Sequence, residues 1–262
     1  MNLILTKIKE NKLKEIQERI SKTSLQALQK SPLFSRSCLS MKENIIDKTQ
    51  KGIIAEFKRQ SPSKGIIHPN ADIKQITQGY QASGASAISI LNDQKFFGAL
   101  STDFEIGRAS ISLPLLQKDF VLCEYQIAEA KASGADVILL IAKMLKTEEV
   151  KRLTHYAHQL GLEVLLETHN AEEIIAHQST EFDLIGINNR DLNTFKVDIE
   201  NSIRLAQLLP SYAVKIAESG IDNTESIKHL KENGFSGFLM GEYFMKDKDP
   251  AQKLKELIKT LS

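Results

Sequence analysis

The feature that most constrains the fold of this chain is a repeated alternation of short apolar runs and amphipathic segments from residue 53 onward. Eight runs have the length of buried strands, and their carboxyl ends are 21 to 33 residues apart. Apolar strands that alternate with amphipathic helices are typical of a parallel sheet covered by helices. The runs are Ile53–Lys58, Ala87–Leu91, Leu115–Lys118, Val137–Ile141, Val164–Glu167, Leu184–Asn188, Ala213–Glu218 and Gly237–Met240.

The segments between the runs carry helix-boundary signals. Asp249 and Pro250 supply an N-cap and a proline at the first helical position, and Gly161 closes a segment that opens at Thr147. Eight strand–helix units in 262 residues predict a closed (β/α)8 barrel, the TIM barrel. A doubly wound open sheet is the alternative, but it is usually shorter or shows a glycine-rich first turn. No G-x-G-x-x-G follows any of the runs.

The first 50 residues have a different pattern from the rest of the chain. Between Leu3 and Lys22, charged residues surround apolar ones at near-helical spacing: Ile4, Ile8, Leu13, Ile16 and Ile20. This spacing predicts an amphipathic helix that lies against a larger body. We therefore expect a single domain over residues 1–262, with a helical extension at 1–50 and the barrel at 51–262.

Charge and cysteine content limit the classes of partner and compartment. The 34 Lys and Arg residues nearly balance the 33 Asp and Glu residues, a net charge of +1 that argues against nucleic-acid or anionic-membrane binding. No apolar run approaches the ~18 residues of a membrane helix, and the N-terminus turns charged at Lys7, unlike a signal peptide. Cys38 and Cys123 are too few for a disulfide framework. We expect a cytoplasmic protein with reduced thiols.

Polar residues collect where the predicted strands end, which is where barrel enzymes place their active sites. Glu56 and Lys58 are two apart and point to the same side of a strand; Lys118, Glu167, Asn188 and the pair Glu218-Ser219 end four other runs. Burying charges is costly unless they are paired. Two interpretations remain open at this stage: an active site, or a ring of salt bridges that closes the top of the barrel.

Glycines after the last two runs suggest a phosphate site. Gly220 follows the seventh run and Gly241 the eighth, and many barrels bind phosphate there through backbone N–H groups. Glycine permits the close approach that this requires, although two loop glycines can also simply form turns. After the first run, Ser61, Lys64 and Gly65 suit a mobile lid facing the phosphate, or an ordinary surface loop. Together these features favour a phosphorylated substrate.

Three histidines are weaker candidates. His155 and His158 are three apart on a predicted helix, but this helix supplies no third metal ligand, so we interpret both as solvated and expect no metal site. His169 follows the fifth run close to Glu167 and could line the barrel mouth, without an assigned catalytic role.

Four motifs occur in a specific order. They are Glu56-Phe-Lys58-Arg-Gln-Ser61-Pro-Ser-Lys-Gly65, Pro114-Leu-Leu-Gln-Lys118-Asp-Phe120, Gly186-Ile-Asn188-Asn-Arg190-Asp-Leu192 and Ala217-Glu218-Ser219-Gly220-Ile221. Each resembles a signature of the indole-3-glycerol phosphate synthase family. One such motif is weak evidence, but four in register are highly specific. The resemblance covers essentially the whole chain, including the helical extension.

The resemblance implies a cofactor-free lyase of tryptophan biosynthesis. Its substrate would be 1-(2-carboxyphenylamino)-1-deoxyribulose 5-phosphate, which undergoes ring closure, loss of CO₂ and loss of water to give indole-3-glycerol phosphate. We expect a monomer, at most weakly associated with other enzymes of that pathway. A phosphoribosyl isomerase on the same scaffold would use an Asp or Cys acid–base pair. A non-catalytic phosphosugar-binding protein would be expected to lose Lys118 or Glu167, yet both are present.

The resemblance also implies roles for individual residues. The catalytic set would be Lys118 as the acid that protonates the ribulose carbonyl, Glu56 and Glu167 as the carboxylates of the dehydration, Lys58 as the ligand of the substrate carboxylate and a second acid, and Asn188 and Glu218 as positioning groups. A second amine nearby would lower the pKa of the catalytic lysine. The substrate-binding set would be Ser61, Phe97, Phe120, Arg190, Ser219, Gly220 and Gly241. Ala99 and Leu100 depart from the Gly-Ser common in the second loop of the family, which leaves the anthranilate contacts of that loop open.

Overall fold

The computed structural model describes residues 3–191 and 194–261, in which eight parallel strands close into a barrel with sequential neighbours, the eighth pairing with the first. The TIM-barrel prediction is confirmed. Five of the eight runs coincide with their strands, and the other three differ by one residue at one or both ends. The strands are β1 (Ile53–Phe57), β2 (Ala87–Leu91), β3 (Leu115–Lys118), β4 (Val137–Ile141), β5 (Glu163–Thr168), β6 (Leu184–Asn188), β7 (Val214–Glu218) and β8 (Gly237–Met240).

Helices cover the outside of the barrel. They are α1 (Leu3–Lys22), α2 (Leu25–Gln29), α3 (Met41–Ile46), α4 (Ile73–Ala82), α5 (Gln94–Phe97), α6 (Asp103–Ser110), α7 (Glu124–Ala132), α8 (Thr147–Gln159), α9 (Ala171–Ala176), α10 (Glu200–Leu205), α11 (Thr224–Glu232), α12 (Glu242–Met245) and α13 (Pro250–Thr260). The predicted caps are present: Asp249 accepts from the amide of Gln252 before α13, with Pro250 at its first position. Within the described residues no helix is long and apolar enough to cross a membrane.

The packing of the core explains why each strand is a nearly continuous apolar run in the sequence. Strand β4 is buried along its whole length, because its side chains alternate between the barrel interior and the layer under the helices. Burying one such Ile or Leu side chain contributes about 1.5–3 kcal/mol. The charged exceptions occur near the carboxyl ends of the strands, where Glu56, Glu167 and Glu218 are also buried.

Helix α1 has the predicted bounds and buries part of the predicted face. Leu5, Ile8 and Ile16 are buried, whereas Leu13 and Ile20 are each 47% exposed. Lys12, not an apolar residue, completes the buried stripe with only 1% of its surface exposed. The prediction that Leu13 and Ile20 belong to the buried face was wrong. A lysine that has buried partners can occupy a position in the core where the apolar pattern alone predicts an apolar residue.

The segment after β1 forms a short antiparallel hairpin. Gln60 and Ser61 pair with Ile66 and Gly65, and Gly65 turns the chain with a φ of +66°. At its base the Arg59 guanidinium pairs with Asp103, the first residue of α6. The hairpin thus starts from a fixed point beside the barrel mouth, and its motion as a lid stays a prediction.

Candidate active site

One cavity lies at the carboxyl end of the barrel, and the structure brings all thirteen predicted site residues to its wall. They are Glu56, Lys58, Ser61, Phe97, Lys118, Phe120, Glu167, Asn188, Arg190, Glu218, Ser219, Gly220 and Gly241. Leu192, which ends the third motif, lies outside the described residues. The chain positions are far apart, but parallel strands deliver their carboxyl ends to one face of a barrel.

Four charged side chains come from alternate strands and form the upper layer of the barrel interior. Glu56, Lys118, Glu167 and Glu218 lie on β1, β3, β5 and β7. In barrels of this kind each interior layer takes four side chains from alternate strands and is normally filled with branched apolar residues. Here the layer nearest the mouth is built from three carboxylates and one ammonium instead.

Lys118 is the centre of this charged layer. Its Nζ lies 2.7 Å from Oε2 of Glu218 and 3.2 Å from Oε2 of Glu167. Burial alone would lower the pKa of Lys118, but the charges of Glu218, Glu167 and Glu56 raise it above its usual value. The expectation that a second amine lowers this pKa was wrong, because the charges of three carboxylates outweigh the effect of burial and Lys58 is itself paired with Glu56 at 2.5 Å.

The two carboxylates that share the Lys118 ammonium have different protonation behaviour. Burial and the nearby charge of Glu167 raise the pKa of Glu218 to about 7, although Lys118 opposes the shift. Burial would also raise the pKa of Glu167, but Lys118, His169 and the amide of Asn188 bring it below its usual value. One ammonium cannot fully satisfy two buried anions, so the pKa of Glu218 is raised while that of Glu167 is lowered.

Two glycines make room for the carboxylates. A Cβ atom on Gly186 would lie 2.2 Å from Oε1 of Glu218, and one on Gly241 would lie 2.4 Å from Oε1 of Glu56. Both contacts are far below van der Waals distance, so any side chain at either position would displace a carboxylate. Gly241 has a φ of −125°, open to all residues, so the proximity of Glu56 is what requires glycine there.

The turn after β7 has an unusual backbone. Ser219 and Gly220 both have positive φ, +68° and +76°, a conformation that non-glycine residues seldom adopt. A Cβ on Gly220 would lie 2.0 Å from Cγ1 of Val197, so only glycine fits. Strained backbone of this kind concentrates at ligand-binding sites, and this turn faces the cavity next to Gly241 and Ser61.

Asn188 and Arg190 connect the loop after β6 to its neighbours. The Asn188 amide donates to Oε1 of Glu167 at 3.1 Å, and its oxygen accepts from the Arg190 backbone at 3.0 Å. The Arg190 guanidinium donates to Oε2 of Glu242 at 2.9 Å and to the carbonyl of Phe195 at 3.2 Å. Arg190 therefore links the ends of β6 and β8, with its charge directed to Glu242.

Another part of the cavity wall is apolar. The rings of Phe97 and Phe120 are 6.1 Å apart, and three residues of helix α1 extend the surface: Ile4, Leu5 and Ile8. Of the second loop, Phe97 lines the cavity, while Ala99 is buried and Leu100 is 56% exposed. The substitution at these two positions therefore alters the support of the loop more than the cavity wall.

Comparison with known proteins decides the family. The model of the family "Indole-3-glycerol phosphate synthase" matches residues 5–257. The chain belongs to this family. It is 46% identical over 261 residues to the indole-3-glycerol phosphate synthase of Bacteroides thetaiotaomicron, covering 100% of both chains, and 40% identical over 260 residues to that of Campylobacter jejuni, covering 98% of this chain and 100% of the relative. The expected lyase class of tryptophan biosynthesis is confirmed with the family.

Similar solved structures report on the fold alone. A chain of the tryptophan synthase complex of Pyrococcus furiosus aligns with a TM-score of 0.58 at 17% identity, over 81% of this chain and 97% of the other. Thiamine phosphate pyrophosphorylase of the same organism aligns at 0.61 and 14%, over 85% and 98%. These are barrels with other chemistry, so the chemical assignment rests on the family and on the site.

Sequence reasoning missed the contribution of α1 to this synthase-family site, and it left His169 without a role. His169 is buried beside Glu167, with its Nε2 3.5 Å from Oε1 of that carboxylate and its Nδ1 3.4 Å from Oε2 of Glu173. The apolar stripe of α1 was visible in the sequence, but nothing local shows that it lies over the barrel mouth. His158 instead pairs with Asp183 at 2.9 Å. No metal-binding group of three or more His, Cys, Asp or Glu occurs in the described parts of the chain.

Proposed function

We propose that this chain converts 1-(2-carboxyphenylamino)-1-deoxyribulose 5-phosphate into indole-3-glycerol phosphate, using the thirteen residues of the barrel mouth. The observation that carries the proposal is the Lys118 ammonium, held between Glu218 and Glu167 at 2.7 and 3.2 Å beside an apolar wall. A buried, charged proton donor next to a surface for an aromatic ring suits an acid-assisted ring closure.

The phosphate end of the substrate would lie at the loops after β7 and β8. Ser219, Gly220, Gly241 and Ser61 face this part of the cavity, and loops after the last two barrel strands, together with a short extra helix, are a common phosphate site. Here the short helix is α12, which begins directly after Gly241. Backbone N–H groups would carry the contact.

In the ring-closure step, the aromatic carbon attacks the ribulose carbonyl carbon and the carbonyl oxygen takes a proton from Lys118. A raised pKa does not prevent this transfer, because the alkoxide that forms is a stronger base than an amine. The ammonium also stabilises the developing negative charge before the proton moves. Loss of CO₂ then returns the bonding electrons to the ring system.

In the dehydration step, the new hydroxyl would take a proton from Lys58, the second acid, and leave as water, while a base removes a proton from the intermediate. Glu167, with its lowered pKa, is the carboxylate that remains ionised and is suited to accept a proton. Glu56, joined to Lys58 at 2.5 Å, would act with it from the other side of the layer. Two carboxylates in unlike environments can divide acid and base work in this way.

The remaining polar residues would bind and orient. Lys58 is near the rim, with 15% of its side chain exposed, where it can receive the anthranilate carboxylate of the substrate. Asn188 holds Glu167 through its amide, Glu218 holds Lys118, and Arg190 fixes the loop end. Phe97 and Phe120 would contact the aromatic ring.

The test is turnover of the synthetic substrate by the purified chain, followed by indole fluorescence. Product formation without added metal or cofactor is the expected result, and the Lys118→Met variant provides the blank. Absence of product from folded enzyme would contradict the proposal. We also propose one domain over residues 1–262, a cytoplasmic monomer with at most weak association with other tryptophan-pathway enzymes. Sedimentation of the purified chain tests the monomer.

A further inference from the structure

A buried lysine in helix α1 bridges two loops of the site. Lys12 is 1% exposed, and its Nζ lies 2.9 Å from Oδ2 of Asp93, 2.9 Å from Oδ1 of Asp119 and 3.0 Å from Oε2 of Glu15. Asp93 and Asp119 are themselves 0% and 5% exposed. Burial would lower the pKa of Lys12, but the charges of the two aspartates raise it above its usual value, so the side chain is an ammonium.

The two aspartates hold the ends of adjacent strands. Asp119 directly follows Lys118, and its Oδ1 accepts from the backbone of Phe120 at 2.8 Å. Its Oδ2 accepts from the Asn92 side chain at 3.3 Å, and the Asn92 backbone donates to the carbonyl of Lys118 at 3.0 Å. The backbone at Lys118 and directly after it is therefore tied to the Lys12 cluster.

The other aspartate acts on the apolar wall. Asp93 is the N-cap of α5 and accepts from the backbone of Phe96 at 2.8 Å. Helix α5 ends at Phe97, whose ring packs near that of Phe120. One ammonium thus connects the strand end that carries Lys118 with the loop that carries the aromatic wall.

We infer that Lys12 is a positioning residue for ring closure, holding Lys118 and the Phe97–Phe120 wall in register through Asp119 and Asp93. The inference rests on the role proposed for Lys118. It makes helix α1 a working part of the active site and not only a cover. Misplacing a reacting group by about 1 Å can cost on the order of 100-fold in rate, so a loosened Lys118 should lower kcat before it changes substrate affinity.

The alternative is that Lys12 only docks α1 onto the barrel, and a matched control separates the two. Arg19 also joins α1 to the barrel, with Nε 3.0 Å from Oε1 of Glu129 on α7, away from the cavity. We expect Lys12→Met to lower kcat by roughly 10-fold to 100-fold while KM changes by less than about threefold, because the phosphate loops lie elsewhere. Arg19→Met should lower the melting temperature and leave kcat within about twofold. Equal kcat values in the two variants would overturn the inference.

Two further variants keep the inference testable. Asp119→Asn retains the shape and the acceptor for the Phe120 amide but removes the charge that faces Lys12, so it should reproduce the kcat loss without a KM change. If Lys12 acts through Asp119, the double variant should be no slower than the slower single one; independent, multiplied losses would contradict the route. If Lys12→Met does not fold, an unchanged kcat in Asp119→Asn overturns the inference.

The Lys118→Met variant separates failure of the inference from failure of the proposed function. Should Lys118→Met turn over normally, the role of Lys118 fails, and the inference that rests on it is overturned too. Should Lys118→Met be inactive while Lys12→Met behaves like Arg19→Met, only the inference is overturned.

Discussion

Replacing Lys118 by methionine tests the proposed chemistry most directly, because the change removes the ammonium and keeps most of the side-chain volume. If Lys118 donates a proton and stabilises charge in ring closure, kcat should fall by roughly 10²–10⁴-fold. The affinity for a non-reactive substrate analogue should change much less, since the phosphate and carboxylate contacts remain.

The structure shows that this variant will also be less stable, whichever interpretation of the charged layer holds. Methionine leaves Glu218 and Glu167 buried without their shared cation, and breaking a buried pair costs about 3–5 kcal/mol. At about 2–4 °C per kcal/mol for a chain of this size, the melting temperature should fall by roughly 10 °C. A lower melting temperature therefore does not distinguish a catalytic lysine from a salt bridge that closes the barrel.

The pH dependence of stability gives an internal check on this reasoning. Without Lys118, the folded-state pKa values of Glu167 and Glu218 should rise above their unfolded values. The protonated carboxyls are then compatible with burial, so the stability deficit is small at low pH and grows as pH rises through those folded pKa values. Melting curves measured between about pH 4.5 and 8 test this trend, because that range begins near the unfolded pKa of a glutamate and extends upward through the raised folded values.

The deciding assay is a single-turnover measurement at a temperature well below the melting transition of the variant. Product formation near the wild-type rate in folded Lys118→Met would refute the catalytic assignment and favour a structural ring of charges. A rate loss together with the pH-dependent melting deficit would support both the chemistry and the electrostatics of the layer.

Three further predictions address the other carboxylates and the glycine beside one of them. Because burial and Glu167 raise the pKa of Glu218 to about 7, the pH profile of kcat/KM should bend near pH 7, and Glu218→Gln should remove that bend; a bend that persists assigns it to another group. Glu167→Gln should lower kcat by about 100-fold or more, and near-normal turnover would make Glu167 only a partner of Lys118. Gly241→Ala should lower kcat by roughly 10-fold, because the new Cβ would lie 2.4 Å from Oε1 of Glu56 and displace that carboxylate. A rise in KM with kcat unchanged would indicate that Gly241 contributes only to phosphate binding.

The prediction for Gly241 illustrates how the structure changes an expectation from sequence. Glycines after the last two strands suggested backbone contacts to a phosphate at both positions. A Cβ at Gly241 would lie 2.4 Å from Oε1 of Glu56, so we expect a larger side chain to displace this carboxylate as well as to crowd the phosphate loop. Only Gly220 combines positive φ with a tight neighbour, Val197, in a turn that faces the cavity.

The barrel and the set of residues at its mouth follow from the sequence. The apolar runs are long enough and regular enough to specify eight parallel strands, and once the barrel closes, its geometry brings every strand end to one face. Residues as distant as Glu56 and Glu218 therefore belong to one site without any further information. The four motifs added the chemistry that strand ends alone leave open.

How these residues share charge, and what holds them in place, follows only from the folded structure. Lys12 is buried because it pairs with Asp93 and Asp119, which lie far along the chain. A local pattern does not show these partners, and it therefore predicts an apolar residue at this position of α1. The pKa of Lys118 depends on which neighbours converge, and the charges of three carboxylates prevail over burial. Periodicity is a local property and is written in the sequence, whereas electrostatic energy depends on distances across the barrel, which exist only once the chain has folded.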